Sequence, residues 1–265
     1  MLCIYSMTTD RSSVHERTMV SSATFVCDNY QAVDEGRLLS AAEHAISSAR
    51  IAKSRRFHHA IDRRACLASH LLLAYACHQQ MTKLPSNGAS YPRNVGIDEL
   101  IDFAYGSARL RDISKDAYGK PSFTDGKGPF FNYSHCTGGI AVALSSEAVG
   151  VDYQDIDELG DLSLCDFVMT PSERNAIVAS SDPAKRFIRL WSIKEAYVKC
   201  LGCGLTLDFG RLDFASYAGG EFIAYDHTFN VYERTRSFVT VCHDDLRGHT
   251  AHTSSRLRPT RSTAI

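Results

Sequence analysis

The sequence predicts a mixed α and β protein built in two halves. Three observations carry this. A helical pattern fills residues 60–80, a second fills 182–200, and alternating apolar segments of strand length stand between and after them. In chain order, residues 1–20 are polar and aperiodic and read as a flexible N-terminus. A helix is expected near 37–53, then one at 60–80 with Ile61, Ala65, Ala68, Leu72 and Tyr75 on one face. Residues 85–96, rich in Pro, Gly, Asn and Ser, read as a loop. Strands follow near 130–134, 138–145 and 149–153. Thr170-Pro171-Ser172-Glu173 is a capping box with Pro at the first helical position, and it opens a short helix. The helix at 182–200 has Asp182 to cap it, Pro183 to start it and Gly202 to stop it. Strands are expected near 221–233 and 237–243, and 248–265 reads as a flexible tail. The halves are placed at 21–146 and 147–247.

Chemistry gathers at three places. Phe187, Leu190, Trp191 and Val198 form the apolar stripe of the 182–200 helix, while Ser192, Glu195 and Lys199 share a face beside it. An acid and a base one turn apart, next to a buried face, can hold a cation and a phosphate together. The plainer reading is a solvated Glu→Lys pair worth a few tenths of a kcal/mol. In Val149-Gly150-Val151-Asp152-Tyr153-Gln154 the alternation points Asp152 and Gln154 to one side and Asp155 to the other. Oxygen donors of this type suit a hard cation such as Mg²⁺. In the third place, Tyr118-Gly119-Lys120-Pro121 forms a turn and Phe130-Phe131-Asn132-Tyr133-Ser134-His135 a strand. No Gly-x-Ser-x-Gly elbow surrounds Ser134, so phosphate contact fits Ser134 and His135 better than nucleophilic catalysis.

In this order and spacing, Gly119-Lys120-Pro121, Phe131-Asn132-Tyr133-Ser134-His135, Gly150-Val151-Asp152-x-Gln154 and Trp191-Ser192-x-Lys194-Glu195-Ala196-x-x-Lys199 resemble the 4′-phosphopantetheinyl transferases of the longer, Sfp type. The resemblance covers about residues 35–245 and includes Arg55-Arg56-Phe57 and Gly202-x-Gly204. It implies an α+β fold of two similar α/β halves related by a pseudo-twofold, with coenzyme A between them. It implies transfer of 4′-phosphopantetheine from coenzyme A to a serine of an apo acyl or peptidyl carrier protein, by a monomer. Asp152 and Glu195 are then Mg²⁺ ligands, with Gln154 a weaker third. Glu195 and Lys199 are catalytic, Glu195 as base and Lys199 on the leaving diphosphate. Arg50, Lys53, Lys120, Ser134, His135, Asp152 and Lys199 contact the coenzyme, Arg50 and Lys53 through its 3′-phosphate. The family usually carries Asp-x-Glu where this chain has Asp152-x-Gln154, and the lost charge weakens metal binding. Two other readings stay open: a non-catalytic module that binds carrier proteins, and a different Mg²⁺-dependent nucleotide phosphotransferase. The second lacks a Gly-rich phosphate loop.

Composition agrees with a globular protein: of 265 residues, 44% are hydrophobic and 22% charged. A net charge of −1 argues against nucleic acid as partner. Arg50, Lys53, Arg55, Arg56, Arg63 and Arg64 nevertheless cluster with Asp62 the only acid among them, a solvated face or a cradle for an anion. The opening residues do not form a signal peptide and no apolar run is long enough for a membrane span, so a cytoplasmic, reduced protein is expected. The nine cysteines then read as small buried hydrophobes. Cys200-x-x-Cys203 ends a helix and has no second ligand pair at regular spacing, against either a redox or a zinc role. Two segments are candidate docking surfaces: 123–131, with Lys127, Phe130 and Phe131, and 162–169, with Leu162, Leu164 and Phe167. Core packing is the stronger expectation for Phe167.

Overall fold

A computed structural model describes residues 22–82, 91–157, 162–217 and 219–244. In order, the elements are β1 (Ala23–Cys27), α1 (Glu35–Ala45), α2 (Ser48–Ser54), α3 (Ala60–Thr82), β2 (Arg93–Asn94), α4 (Ile97–Gly106), β3 (Ile113–Lys115) and β4 (Pro121–Phe123). Then come β5 (Phe130–Cys136), β6 (Gly139–Ser145), β7 (Val149–Asp155), α5 (Cys165–Val168), α6 (Pro171–Val178), α7 (Pro183–Leu201), β8 (Gly220–Ala224), β9 (His227–Glu233) and β10 (Ser237–Asp244). The fold is α+β. One sheet runs β2-β1-β6-β5, a second β7-β10-β9-β8, and β3 and β4 form a separate hairpin.

The two main sheets repeat one connectivity. In each, the first strand pairs antiparallel with the last, and the last with the one before it: β1 with β6 and β6 with β5, then β7 with β10 and β10 with β9. A long helix lies between first and last strand in sequence, α3 in one case and α7 in the other.

Strand alternation explains the layers. Phe25, Cys27, Ile140, Val142 and Leu144 of the first sheet pack with Leu67, Leu71 and Leu72 of α3. Phe229, Val231, Phe238 and Cys242 of the second pack with Phe187, Leu190 and Ile193 of α7. The opposite faces meet each other through Val26, Ala141 and Ala143 against Val149, Val151, Val239 and Val241. The sheets are thus back to back, with the long helices outside. At one seam the edge strands β5 and β7 touch: Asn132 Oδ1 accepts from the backbone N–H of Val151 at 3.5 Å.

The helix ends follow the sequence signals. Asp182 accepts from Lys185 N at 3.0 Å, and Gly202 closes α7 at φ 68°. The capping box forms in both directions between Thr170 and Glu173. The expected helix at 37–53 is instead two, because Ile46 turns extended to bury its side chain and Ser47 restarts the helix. The expected strand at 221–233 is a hairpin that reverses at Tyr225 and Asp226, both at positive φ. Helix α4 was not expected; it buries Ile97, Leu100, Ile101 and Ala104 at helical spacing. Phe167 is 79% exposed, against the core packing expected for it, because the short α5 turns its ring outward. The expected flexible segments, 1–20 and 248–265, lie outside the described residues. No helix among the described residues is long and apolar enough to cross a membrane.

Candidate active site

β7 brings Asp152 under α7. The close approach requires Gly150: a Cβ there would stand 2.1 Å from Ala196 O and 2.3 Å from Cys200 N. Asp152 is buried. Its Oδ1 accepts from Lys199 Nζ at 2.7 Å and from Ser134 Oγ at 3.0 Å. Lys199 also donates to Ser134 Oγ at 3.0 Å and lies 3.8 Å from Glu195 Oε2. A serine from β5, an aspartate from β7 and an acid and a base from α7 therefore meet at the seam between the sheets.

The second oxygen, Asp152 Oδ2, is buried with no hydrogen-bond partner. A bare carboxylate oxygen in low dielectric is costly unless something cationic meets it. Burial pushes the Glu195 carboxyl above its usual range, Lys199 draws it back down, and Asp152 pushes it up further. Two carboxylates that disfavour each other's charge, one with an orphaned oxygen, fit a divalent cation. Asp152 and Glu195 supply the anionic donors, and Gln154 shares the Asp152 face of β7 by alternation. Tyr153 and Asp155 point to the other side, into a separate hollow of about 570 Å³ with Asp28, Tyr91 and Arg234. That hollow is lined by none of Ser134, Asp152, Gln154, Glu195 and Lys199.

Beside the carboxylates lies a cleft of about 270 Å³, lined by Lys115, Tyr118, Lys120, Asn132, Tyr133, Glu195 and Lys199 among others. The cleft is cationic along one wall. Arg50 hydrogen-bonds the Tyr133 hydroxyl, and burial first, then Lys53 and Arg50, holds the Lys115 ammonium below its usual range. Sequence reasoning missed Lys115; it pairs with Pro121 across the β3–β4 hairpin, so its nearness to Lys120 shows only once the hairpin is folded. Asp116 holds that hairpin tip by accepting from Tyr118 N and Lys120 N, both at 2.9 Å. Lys120 lines the cleft, and its ammonium donates to the Cys200 carbonyl at the C-terminal end of α7. His135 is exposed, on the face of β5 opposite Ser134, and does not line the cleft.

The residue before Glu195 does different work. Lys194 is fully buried and donates to Val168 O at 2.7 Å, Glu173 Oε2 at 2.6 Å and Phe209 O at 2.8 Å. All three of its protons are used, so Lys194 clamps α7 to α6 and the following loop.

Residues 148–251 match the family model described as the 4′-phosphopantetheinyl transferase superfamily. That span carries Asp152, Gln154, Glu195 and Lys199. The chain is 28% identical over 182 residues to the L-aminoadipate-semialdehyde dehydrogenase-phosphopantetheinyl transferase of Saccharomyces cerevisiae, covering 64% of this chain and 57% of that protein. It is 28% identical over 176 residues to a 4′-phosphopantetheinyl transferase of Bacillus subtilis, covering 66% of each. It is 26% identical over 111 residues to the transferase Sfp of Bacillus subtilis strain 168, covering 41% of this chain and 49% of Sfp. The chain spans between 57% and 66% of the length of the first two of these relatives. The crystal structure of Thermotoga maritima holo-(acyl-carrier-protein) synthase overlaps 37% of this chain and 62% of its own, at TM-score 0.30 and 13% identity, a likeness too slight to bear on the fold.

Proposed function

We propose that this phosphopantetheinyl transferase relative moves 4′-phosphopantetheine from coenzyme A to a serine of an apo acyl or peptidyl carrier protein. One observation carries the reading: the buried Asp152 with its unpaired Oδ2, set beside Glu195 and Lys199 at the mouth of a cationic cleft. Asp152 and Glu195 would hold Mg²⁺, with the Gln154 amide oxygen a neutral third donor. When bound, the ion offsets the charge that grows on the diphosphate as its bridging bond breaks.

The protein's own groups position and move protons. Lys199 is oriented by Asp152 and Ser134, and donates to the leaving diphosphate oxygen. The carrier serine Oγ bonds to the phosphorus bearing pantetheine, the bond from that phosphorus to the bridging oxygen breaks, and adenosine 3′,5′-bisphosphate leaves with the electron pair. Glu195 takes the serine proton; its raised pKa makes it a better base than an ordinary carboxylate. Arg50, Lys53 and Lys115 neutralise the ribose 3′-phosphate. Lys120 and Ser134 complete the anion contacts. His135 reaches the coenzyme only from the outer face of β5.

The test is a mass measurement. The protein is incubated with coenzyme A, Mg²⁺ and an apo carrier protein. The expected result is a phosphopantetheine adduct on the carrier serine. A carrier that stays unmodified with every tested partner, while still binding, would favour the non-catalytic module.

A further inference from the structure

The C-terminal end of α7 carries a second group of chemically active side chains, apart from the carboxylates. Cys200 is the last buried residue of the helix. His227 opens β9, and Asp244 closes β10 directly opposite it in the ladder. Cys200 Sγ, a His227 ring nitrogen and an Asp244 carboxylate oxygen all lie within 4.8 Å of one another. Cys242 stands two residues before Asp244 on the same face of β10, fully buried, and hydrogen-bonds with Cys200. Gly150, paired with Cys242, lets the backbone of α7 at Cys200 pack directly against β7.

We propose that Cys200, His227 and Asp244, with Cys242 alongside, form a binding site for a transition-metal ion of the zinc class.

The donor set decides the class. Thiolate and imidazole select borderline and soft ions, whereas Mg²⁺ and Ca²⁺ want oxygen alone. The histidine is already set for ligation. Its Nδ1 donates to Tyr225 O at 2.7 Å, which fixes the tautomer, and its Nε2 faces Asp244 Oδ1 at 2.8 Å. A ring N–H anchored to a backbone carbonyl is the usual support of a metal-bound imidazole. That carbonyl is set by the positive-φ turn at Tyr225 and Asp226, so the hairpin itself aims the ring. Asp244 is partly exposed and gives the ion a way in. Cys200 itself is buried, which suits a closed structural site and not a nucleophile. A bound ion would tie the end of α7, which carries Glu195 and Lys199, to β9 and β10.

The test uses the full chain, made metal-free under reducing conditions and titrated with Co²⁺. Co²⁺ on the Asp152–Glu195 carboxylates gives no thiolate-to-cobalt charge-transfer band, so a near-ultraviolet band reports the cysteine site alone. The expected result is one such band, saturating at one equivalent and erased by Zn²⁺. It should be lost in Cys200→Ser and His227→Ala and kept in Cys203→Ser. If a variant does not fold, alkylation of Cys200 in the unaltered chain, read by peptide mass, decides. Protection by stoichiometric Zn²⁺ supports the site, and equal labelling with and without Zn²⁺ overturns it. No band in the unaltered chain, a band that survives Cys200→Ser, or a Cys200–Cys242 disulfide in place of metal also overturns it.

Discussion

Asp152 accepts from Ser134 and Lys199 through one oxygen and leaves the other bare, so its charge is held in place without being used up. Asp152→Asn keeps the size and both contacts to Oδ1 but removes the anion; transfer should fall by about 100-fold or more, read in the carrier-modification assay. Gln154→Glu adds a carboxylate on the same face of β7 and should lower the Mg²⁺ concentration needed for half-maximal rate. An unchanged metal requirement would place residue 154 away from the ion. His70 offers a pH prediction. It is buried in α3, its Nδ1 bonds the Cys66 carbonyl at 2.7 Å, its Nε2 has no partner, and its ring tilts on Tyr133 at 5.3 Å. Burial, with Arg50 nearby, lowers its pKa from 6.5 to about 3. The folded state therefore holds His70 neutral where the unfolded chain protonates it. Its contribution to stability is whole above pH 6.5 and falls away as pH drops toward 3, by up to about 1.4 kcal/mol per unit. His70→Phe should flatten that acid-side fall in denaturant titrations. An unchanged slope would mean that His70 is already charged in the fold.

At the scale of elements, the contact between β7 and α7 governs the site. Gly150→Ala should push the helix off the strand, since its Cβ meets backbone and not a side chain that can swing away. A loss of about 3 kcal/mol or more is expected in chemical denaturation, with transfer falling further than stability alone explains, because Glu195 and Lys199 move with α7. Helix α7 was legible in the sequence because Asp182, Pro183 and Gly202 mark both ends and its stripe is periodic. The strands at 130–136, 139–145 and 149–155 were legible because their apolar runs are bounded by turns. The hairpin at Tyr225-Asp226 was not, since a Tyr stands at its first positive-φ position in place of the customary Asn, Asp or Gly, and the strand pattern runs through. The break at Ile46 was hidden because a buried Ile reads equally well inside a helix. At the site, motif spacing singled out Ser134, Asp152, Glu195 and Lys199, which the fold brings together. The clamp made by Lys194 was not legible: its partners Val168, Glu173 and Phe209 come from three other segments. The same holds for Cys200 with His227 and Asp244, whose spacing in sequence follows no metal-site pattern.

For the whole molecule, cationic and apolar surfaces set the partners. Arg50→Ala and Lys53→Ala should raise the KM for coenzyme A well above the change for 3′-dephospho-coenzyme A; equal changes would make the two residues a solvated face. Phe167 is exposed beside the half-exposed Leu162 and Leu164, and under the proposed function this apolar patch is a candidate docking surface for the carrier protein. Phe167→Asp should weaken binding of an apo carrier protein about tenfold or more with no change in Tm. Equal affinity would place docking elsewhere, with Phe130 and Lys127 the next surface to alter.

The pairing of first strand with last has a kinetic side. β1 can close its sheet only against β6, with Ala23 opposite Leu144, and β7 only against β10, with Ser237 opposite Asp155. Everything between must be made and gathered before either ladder zips. During synthesis, β1 waits with an unpaired edge until β6 has left the ribosome, and the closure entropy of that long loop falls on the slow step. Folding of this chain is therefore governed by non-local encounter, and the waiting edge of β1 is where a stalled or truncated chain would first find the wrong partner.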